Sequence, residues 1–507
     1  MERESFDNDE VAKLLNRDFI PIKIDREERP DLDRIYMNFV QATTGSGGWP
    51  LNVFVTPELE PVFGGTYFPG PDATVAPKSE EEQEEQGSVV DYGFIGILKK
   101  LRNVWRDQEA RCRQDAASIL SQLKDYAADG TLGGRLGAGS SSLDIELLEE
   151  AYSHFEKTFD VENGGWSSAP KFPTPPIIAF LLRLPHFPKE IRDVVGVDEI
   201  ATASHMALTT LKSMARGGIR DHIGNGFARY SVTADWSLPH FEKMLYDNAQ
   251  LLDVYLDGFL ISSNPELLGV VYDIATYLVD DVLNAPNGGF YSSEDADSYY
   301  RKGDTQKREG AFYVWSRREF DDILGLDASV CATFFGVLKD GNVRPEHDVH
   351  DELLNKNVLS IKTTPKAMSS QFGLKEEDII KIIKNGKAKL LAHRNSERVR
   401  PALDDKIVVA WNGMAIGALA RTSRVIEGFD PENAAKFLSA ATKAATFIRK
   451  EMYSEKQKNL KRVWRDVTGD TDAFADDYAF LIEGLIDLYE ATYDEEYIEW
   501  ADTLQGK

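Results

Sequence analysis

Short apolar runs separated by turn residues fill the first quarter of the chain, and they predict a mixed α/β domain. Asn8 or Asp9 is suited to cap the first helix, and Pro30 is well placed to open the second. The predicted elements are helix 8–17, strand 19–25, helix 30–41, strands 51–57 and 61–68, and helix 91–126. This order indicates a small sheet with helices packed on it.

Beyond a Gly/Ser-rich stretch at 128–142, the apolar spacing becomes mostly helical. Segments 159–171 and 283–295 share an Asn-Gly-Gly-aromatic-Ser core, and several helices begin with acid, amide or aromatic residues. The predicted helices are 143–159, 200–216, 240–262, 266–285, 376–393, 407–427, 431–453, 473–492 and 495–505. Repeated helical pairs with elaborate loops indicate a helical toroid or solenoid.

The chain has 507 residues, which is more than a single hydrophobic core usually supports. We therefore predict a first domain at 1–127, with an acidic insert near 72–90, a linker at 128–142, and a second domain at 143–507.

Charge narrows the classes of partner. The 58 Lys and Arg residues against 84 Asp and Glu residues give a net charge of −26, which disfavours nucleic acid and anionic membranes. No apolar run is long enough to span a membrane, and the first residues lack a signal-peptide pattern. Cys112 and Cys331 have neither CxxC nor zinc spacing, so we expect packing roles and a reducing, cytoplasmic location.

Candidate acid/base and ligand-binding groups concentrate between positions 221 and 248. On a continuous helix, His240, Lys243, Met244 and Asp247 would share one face, which would bring an imidazole near a carboxylate. The alternative is that these groups are helix caps and buried hydrogen-bonding residues. The candidates here are Asp221, His222, Trp236, His240, Glu242, Asp247 and Asn248.

A second group of candidates lies further along the chain. The alternating carboxylates at 294–298 favour an acid/base pair or a bound cation over a solvated loop. A calcium loop that began at Asp295 would need Glu at its twelfth position, where this chain has Gln306, so such a loop is not expected. The acids near helix starts are explained at least as well by capping. These candidates are Asp295, Asp297, Glu309, Trp315, Asp405, Trp411, Asn412 and Asp477, with Trp166 in the first Asn-Gly-Gly segment.

No metal site or cofactor is predicted. His347 and His350 are three residues apart in a polar segment, and such a pair is a weak signal. Phosphate-loop and nucleophile-elbow motifs are absent from the sequence.

Several long motifs carry a resemblance to a known family. They include GGWPLNVFVTPELEPVFGGTYFP, DHIGNGFARYSVTADWSLPHFEKMLYDNAQL and DDKIVVAWNGMAI. The chain resembles the spermatogenesis-associated protein 20-like family from Met1 to about Lys507. The resemblance implies an α/β thioredoxin-like domain fused to a mainly α, six-hairpin glycosidase-like (α/α) toroid. Trp49-Pro50 is then a candidate cis bond, although the dipeptide alone favours a simple turn.

Two departures from the family pattern lead us to expect that both domains are incomplete. The family carries a strand and a CxxC segment just before the residues that match Met1, and further helices follow the match to the last residues. About eight toroid helices are recognisable here, where six hairpins need twelve. Loss of the strand would leave backbone groups unpaired, so we expect a less stable first domain.

The resemblance implies carbohydrate-like chemistry of the epimerase, isomerase or hydrolase type. The acid/base candidates would be Asp221, His222, His240, Asp247, Asp295, Asp297 and Glu309, and the other candidates would bind a sugar-like small molecule. Two alternatives stay open: a non-catalytic binding or interaction protein, and a truncated copy of a thiol-disulfide oxidoreductase. The sequence does not specify an oligomeric state.

Overall fold

The computed structural model describes residues 5–70, 93–130, 145–348 and 351–507, and of 126–130 only the backbone. It divides into two compact units, Met1–Leu143 and Asp144–Lys507. The predicted acidic insert and most of the predicted linker lie outside the described residues.

The described residues of the first unit form three helices and a β-hairpin. Its elements are α1 (Asp9–Asp18), α2 (Pro30–Thr44), β1 (Asn52–Val55), β2 (Pro61–Gly65) and α3 (Phe94–Gly130). The Asn8 side chain accepts hydrogen bonds from two backbone N–H groups at the start of α1, and Pro30 opens α2, as predicted. A small core of Val11, Leu14, Phe94 and Leu98 joins α1 to α3.

The predicted strand at 19–25 is wrong. The segment forms no strand, and Ile20 and Ile22 are 88% and 70% exposed. Alternating apolar residues favour extended backbone, but a strand also requires a neighbour for its hydrogen bonds, and none pairs with it among the described residues. The Trp49-Pro50 bond is cis, and the Arg26 guanidinium lies 3.6 Å from the Trp49 ring centre.

The second unit is mostly helical. Its helices are α4 (Glu146–Thr158), α5 (Pro175–Arg183), α6 (Lys189–Val195), α7 (Val197–Arg216), α8 (Leu245–Ser262), α9 (Pro265–Asp280), α10 (Arg317–Leu324), α11 (Ala328–Phe335), α12 (Pro365–Phe372), α13 (Glu376–Glu397), α14 (Val409–Ile426), α15 (Pro431–Glu451), α16 (Ala475–Thr492) and α17 (Glu495–Gln505). Each of the nine predicted helices has a counterpart. The unpredicted helices, α5, α6 and α10 to α12, are too short to establish a helical period.

Short antiparallel strands connect the helices of this unit. They are β3 (Tyr230–Ser231), β4 (Pro239–His240), β5 (Lys243–Met244), β6 (Ser293–Glu294), β7 (Asp297–Ser298), β8 (Arg308–Glu309), β9 (Leu403–Asp404), β10 (Ile407–Val408), β11 (Tyr453–Ser454), β12 (Asn459–Leu460), β13 (Val463–Arg465) and β14 (Val467–Thr468). The two three-stranded sheets have the orders β5-β6-β9 and β10-β13-β14.

These strands overturn one prediction about the candidate site. Helix α8 begins at Leu245, whereas His240 lies on β4 and Lys243 on β5. The single helical face expected for His240, Lys243, Met244 and Asp247 is therefore wrong. Pairing of β4 with β3, and of β5 with β6, fixes extended backbone where the local pattern favoured a helix.

One hydrogen-bond pattern occurs at the starts of both α8 and α14, and the second Asn-Gly-Gly segment, 283–295, takes part in it. In α8, the Asn248 side chain accepts from Phe227 N at 2.8 Å and donates to Phe227 O at 3.1 Å and to Met244 O. In α14, the Asn412 side chain accepts from Phe290 N at 2.7 Å and donates to Phe290 O at 3.0 Å and to Val408 O. Both buried amides thus tie the start of a helix to a glycine-aromatic loop.

Helices α14 and α16 pack at glycines. A Cβ atom built on Gly413 would lie 2.5 Å from the Phe480 carbonyl, and one on Gly484 would lie 2.3 Å from the Gly413 oxygen. These distances are shorter than any van der Waals contact. The helices approach this closely only because neither glycine carries a side chain.

Candidate functional site

His240 and Glu309 form a side-chain pair that two strand pairs position. Tyr230 lies opposite His240 in the β3–β4 pair, and Asp297 lies opposite Glu309 in the β7–β8 pair. The His240 Nδ1 atom lies 2.6 Å from Glu309 Oε1, and the side chains are 29% and 36% exposed. The pair therefore combines a fixed geometry with access from solvent.

The pKa of His240 is shifted upward. Burial lowers this pKa, but the hydrogen bond and charge of Glu309, with the charges of Glu242 and Asp297, outweigh burial and raise it above its ordinary value. The imidazole stacks on the Tyr230 ring, with the ring centres 5.0 Å apart. Within the described part of the chain, Nδ1 is the ring nitrogen with a hydrogen-bond partner.

Aromatic rings and one guanidinium extend from this pair. The Phe172 ring centre lies 4.8 Å from that of Tyr230, and Arg229 lies 5.2 Å from the Phe172 ring and 4.9 Å from the Tyr246 ring. Tyr246 then meets Trp411 edge-on at 4.7 Å. We call this contiguous set the His240 site; it consists of Phe172, Arg229, Tyr230, His240, Tyr246, Glu309 and Trp411.

Asp247 lies beneath this site, at the head of α8. Its carboxylate accepts two hydrogen bonds from Arg229, at 2.8 and 3.1 Å. Burial raises the pKa of Asp247 to about 7 despite the opposing charge of Arg229. Asp247 thereby holds the guanidinium between the Phe172 and Tyr246 rings.

Asp221 and His222 lie in a separate buried cluster. The Asp221 carboxylate receives hydrogen bonds from Lys243 at 2.9 Å and from Arg394 at 3.0 Å. Burial opposes ionisation, but Arg394 and Lys243 hold the pKa of Asp221 well below its ordinary range. His222 Nε2 lies 2.9 Å from the Gly217 carbonyl, and burial lowers the pKa of His222 to about 3.

The remaining acidic candidates form ion pairs within the unit. Asp295 pairs with Lys307 at 3.2 Å, and Asp405 pairs with Arg465 at 2.7 Å. The buried Asp477 carboxylate accepts hydrogen bonds from Arg462, at 2.8 Å, and from the Ala410 and Phe474 backbone N–H groups.

Three of the four tryptophan candidates pack away from the His240 site. Trp236 is fully buried and donates to the Asn163 carbonyl, and Trp315 is fully buried beneath Arg398. Trp166 packs against the rings of Phe155 and Phe159. Trp411 alone among them lies within the set.

The structure thus brings His240, Glu309 and Asp297 together, with Glu242 close enough to act on the His240 charge and Asp247 linked through Arg229. Trp411 also lies in the His240 site, through its contact with Tyr246, and the other candidates lie elsewhere, where their roles stay predictions. Sequence reasoning missed Arg229, Tyr230, Phe172 and Tyr246. The available signal was the Arg229-Tyr230 pair in the Phe-Ala-Arg-Tyr run before Ser231, but the run alone does not show which distant residues these two contact.

No group of three or more His, Cys, Asp or Glu residues suited to hold a metal ion occurs among the described residues. His347 lies in the short 3-10 turn Pro345–His347, and His350 is outside the described residues. Cys112 and Cys331 are buried free thiols, and burial raises the pKa of Cys331 to about 12. No helix in the described ranges is long and apolar enough to cross a membrane.

Comparison with known proteins extends these observations. Residues 1–124 match the family model Thioredox_DsbH, described as a protein of unknown function, DUF255. The whole chain is 36% identical to spermatogenesis-associated protein 20 of Homo sapiens and covers 62% of its length. It is 38% identical to an uncharacterized protein of Caenorhabditis elegans, over 100% of this chain and 66% of that one.

The solved structures to which the chain shows a low similarity include a sugar epimerase and an α-mannanase. A sugar epimerase from a ruminal bacterium is 14% identical, with 71% of this chain and 85% of that chain covered and a TM-score of 0.30. A family 76 α-mannanase from Bacteroides thetaiotaomicron is 9% identical, with 72% and 83% covered and a TM-score of 0.28.

The chain joins a first unit that matches a thioredoxin-type family model to a mainly helical second unit. Over its whole length the chain is similar to spermatogenesis-associated protein 20 of Homo sapiens and of Rattus norvegicus, as its motifs indicated. It spans about three fifths of the length of its human relative, since 62% of that protein is covered.

Proposed function

We propose that the His240 site carries out acid/base proton transfer on a sugar-like, polyhydroxylated ligand. The observation that carries this proposal is the 2.6 Å contact between His240 Nδ1 and Glu309 on a partly exposed imidazole. A carboxylate on one ring nitrogen fixes the tautomer and leaves the other nitrogen to exchange protons.

The chemistry follows from this arrangement. Glu309 accepts a hydrogen bond from the Nδ1–H group of neutral His240, so the proton stays on Nδ1 and the unprotonated Nε2 acts as the base. Nε2 removes a proton from the carbon beside a sugar carbonyl, which yields an enediolate and an imidazolium. The imidazolium then returns the proton to the ligand, as in isomerisation or epimerisation. Glu309 is a positioning residue here, because it acts through His240.

The rest of the site is suited to hold such a ligand. The exposed Phe172 ring and the partly exposed Tyr246 ring offer apolar faces, on which the C–H groups of a sugar ring can pack, and the buried Trp411 ring supports Tyr246 from below. Arg229 supplies donors for hydroxyl or carbonyl oxygens, and its pairing with Asp247 keeps it in position.

A direct test is proton exchange in D₂O. The full chain is incubated with a panel of reducing sugars, and loss of the C2–H signal is followed by proton NMR. We expect exchange with at least one sugar, and a loss of about 10²-fold or more in His240→Gln. The matched control is His205→Gln, which removes an exposed imidazole from α7 and should exchange like the wild type. Undiminished exchange in His240→Gln would contradict the proposal.

A non-catalytic binding role is the second candidate, and the aromatic rings around Arg229 favour it, because they need no proton transfer to hold a ligand. This role predicts sugar binding in calorimetry that persists in His240→Gln, together with no exchange in the wild type. Weakened binding in Phe172→Ala, which truncates the exposed ring of the set, would place the ligand at the His240 site.

A further inference from the structure

The connection between β7 and β8 is basic in a chain whose net charge is −26. It contains Arg301, Lys302 and Lys307, and Arg308 begins β8. In the β7–β8 pair, Arg308 lies opposite Ser298, and the next pair along the hairpin is Asp297 with Glu309. Because side chains alternate across a strand, Arg308 and Glu309 point to opposite faces of this hairpin.

A cavity of about 430 Å³ lies against the basic face of the hairpin. The side chains that line it are Tyr300, Arg301, Thr305, Gln306, Arg308 and Lys356. The cavity also has one carboxylate, Asp304, which accepts a hydrogen bond from the Arg301 backbone N–H at 3.0 Å.

The three cations of this cavity lack a direct ion-pair partner among the described residues. In the described part of the chain, Arg301, Arg308 and Lys356 form no ion pair, whereas most other arginines of the second unit do. Burial lowers the pKa of Lys356. The charge of Glu319 raises this pKa, whereas the charges of Arg398, Arg301 and Arg308 lower it, and the net shift is downward. The cavity therefore concentrates positive charge that a bound anion would offset.

Tyr300 contributes a hydroxyl group to the same place. Its ring lies 4.4 Å from Lys356 Nζ, and its buried Oη has no hydrogen-bond partner among the described residues. A buried hydroxyl without a partner is unfavourable, so a ligand atom that accepted a hydrogen bond from it would be stabilised. Tyr300 is thus a donor available to an oxyanion.

We propose that this cavity is a binding site for a phosphate group, either free or carried as an ester. Two guanidinium groups can each contact two oxygens of a tetrahedral anion, and Lys356 and the Tyr300 and Thr305 hydroxyls add single donors. The proposal does not depend on the proposed function, although the same hairpin carries Glu309 on its other face.

The test uses the full chain and inorganic phosphate at constant ionic strength, with chloride as the compensating anion. Binding is measured by calorimetry and by the rise in the thermal unfolding midpoint. We expect saturable binding in the wild type, and at least ten-fold weaker binding in Arg308→Gln and Lys356→Gln. Lys302→Gln is the matched control, because it removes one charge from the same loop at an exposed residue that does not line the cavity.

Each outcome has a defined meaning. No saturable binding in the wild type, or equal weakening in Lys302→Gln, would overturn the proposal, because net charge alone would then explain the effect. If Lys356→Gln unfolds, Tyr300→Phe replaces it, since it removes only the hydroxyl group.

A sugar phosphate that binds more tightly than both phosphate and its parent sugar identifies an ester as the ligand, and equal affinity of phosphate and the sugar phosphate identifies free phosphate. Binding is read without turnover, so failure of the exchange experiment leaves this result unaffected.

Discussion

Glu309 Oε1 lies 2.6 Å from His240 Nδ1, and this contact joins two hairpins that are 69 positions apart in the chain. Glu309→Gln should lower the pKa of His240, because it replaces a charged acceptor with a neutral amide. NMR titration of the imidazole measures the change. Glu266→Gln, which removes an exposed carboxylate paired with Arg216, should leave the His240 titration in place.

The same pair sets a pH dependence of stability. The folded pKa of His240 is raised, so the pair stabilises the fold fully below the unfolded pKa of about 6.5. The stabilisation is lost as pH rises through the folded value. A stability-against-pH curve that is unchanged by Glu309→Gln across this range would contradict the assignment.

Asp221→Asn should destabilise the second unit by about 3–5 kcal/mol, because it leaves the buried Lys243 and Arg394 without their counter-charge. Urea unfolding measures the free energy. The pKa of Asp221 is held low, so the wild-type contribution is present above about pH 4 and is lost as pH falls. A loss of sugar chemistry with unchanged stability would instead support the predicted acid/base role of Asp221.

Asn412→Ala should cost at least about 2 kcal/mol of unfolding free energy, since it leaves the Phe290 N–H and two carbonyl groups without their side-chain partner. Asn395→Ala, on the exposed face of α13, is the matched control and should change stability by no more than about 0.5 kcal/mol. Equal effects of the two substitutions would show that the repeated amide is dispensable.

Gly413→Ala and Gly269→Ala should change stability in opposite directions. Both glycines are helical, where alanine is intrinsically favoured by about 1 kcal/mol. The new methyl group at 413 would clash with the Phe480 backbone and push α14 from α16, whereas nothing lies within 4 Å of the added atom at 269. Thermal unfolding should show a lower midpoint for Gly413→Ala and a higher one for Gly269→Ala.

Local signals in the sequence were sufficient to predict most of the long helices and the β-hairpin. The Asn8 cap, Pro30 at a helix start and the 3.6-residue apolar period predicted elements whose stability depends on neighbours a few positions away. The Asn-Gly-Gly-aromatic repeat likewise marked the loop that Asn412 binds. The family resemblance rested on such segments and extended over the whole chain.

The arrangement of the candidate site was decided by tertiary structure. His240 lies on a strand because Tyr230 and Ser231 supply its backbone partners, and no helical pattern within 240–262 reveals that pairing. Asp221 and His240 were equal candidates in the sequence. In the structure, Arg394, which is 173 positions from Asp221, neutralises the buried Asp221 carboxylate. His240 pairs with Glu309 instead, and its side chain is partly exposed. The residue types of the site are thus readable from the chain, but their pairing and burial depend on contacts between distant segments.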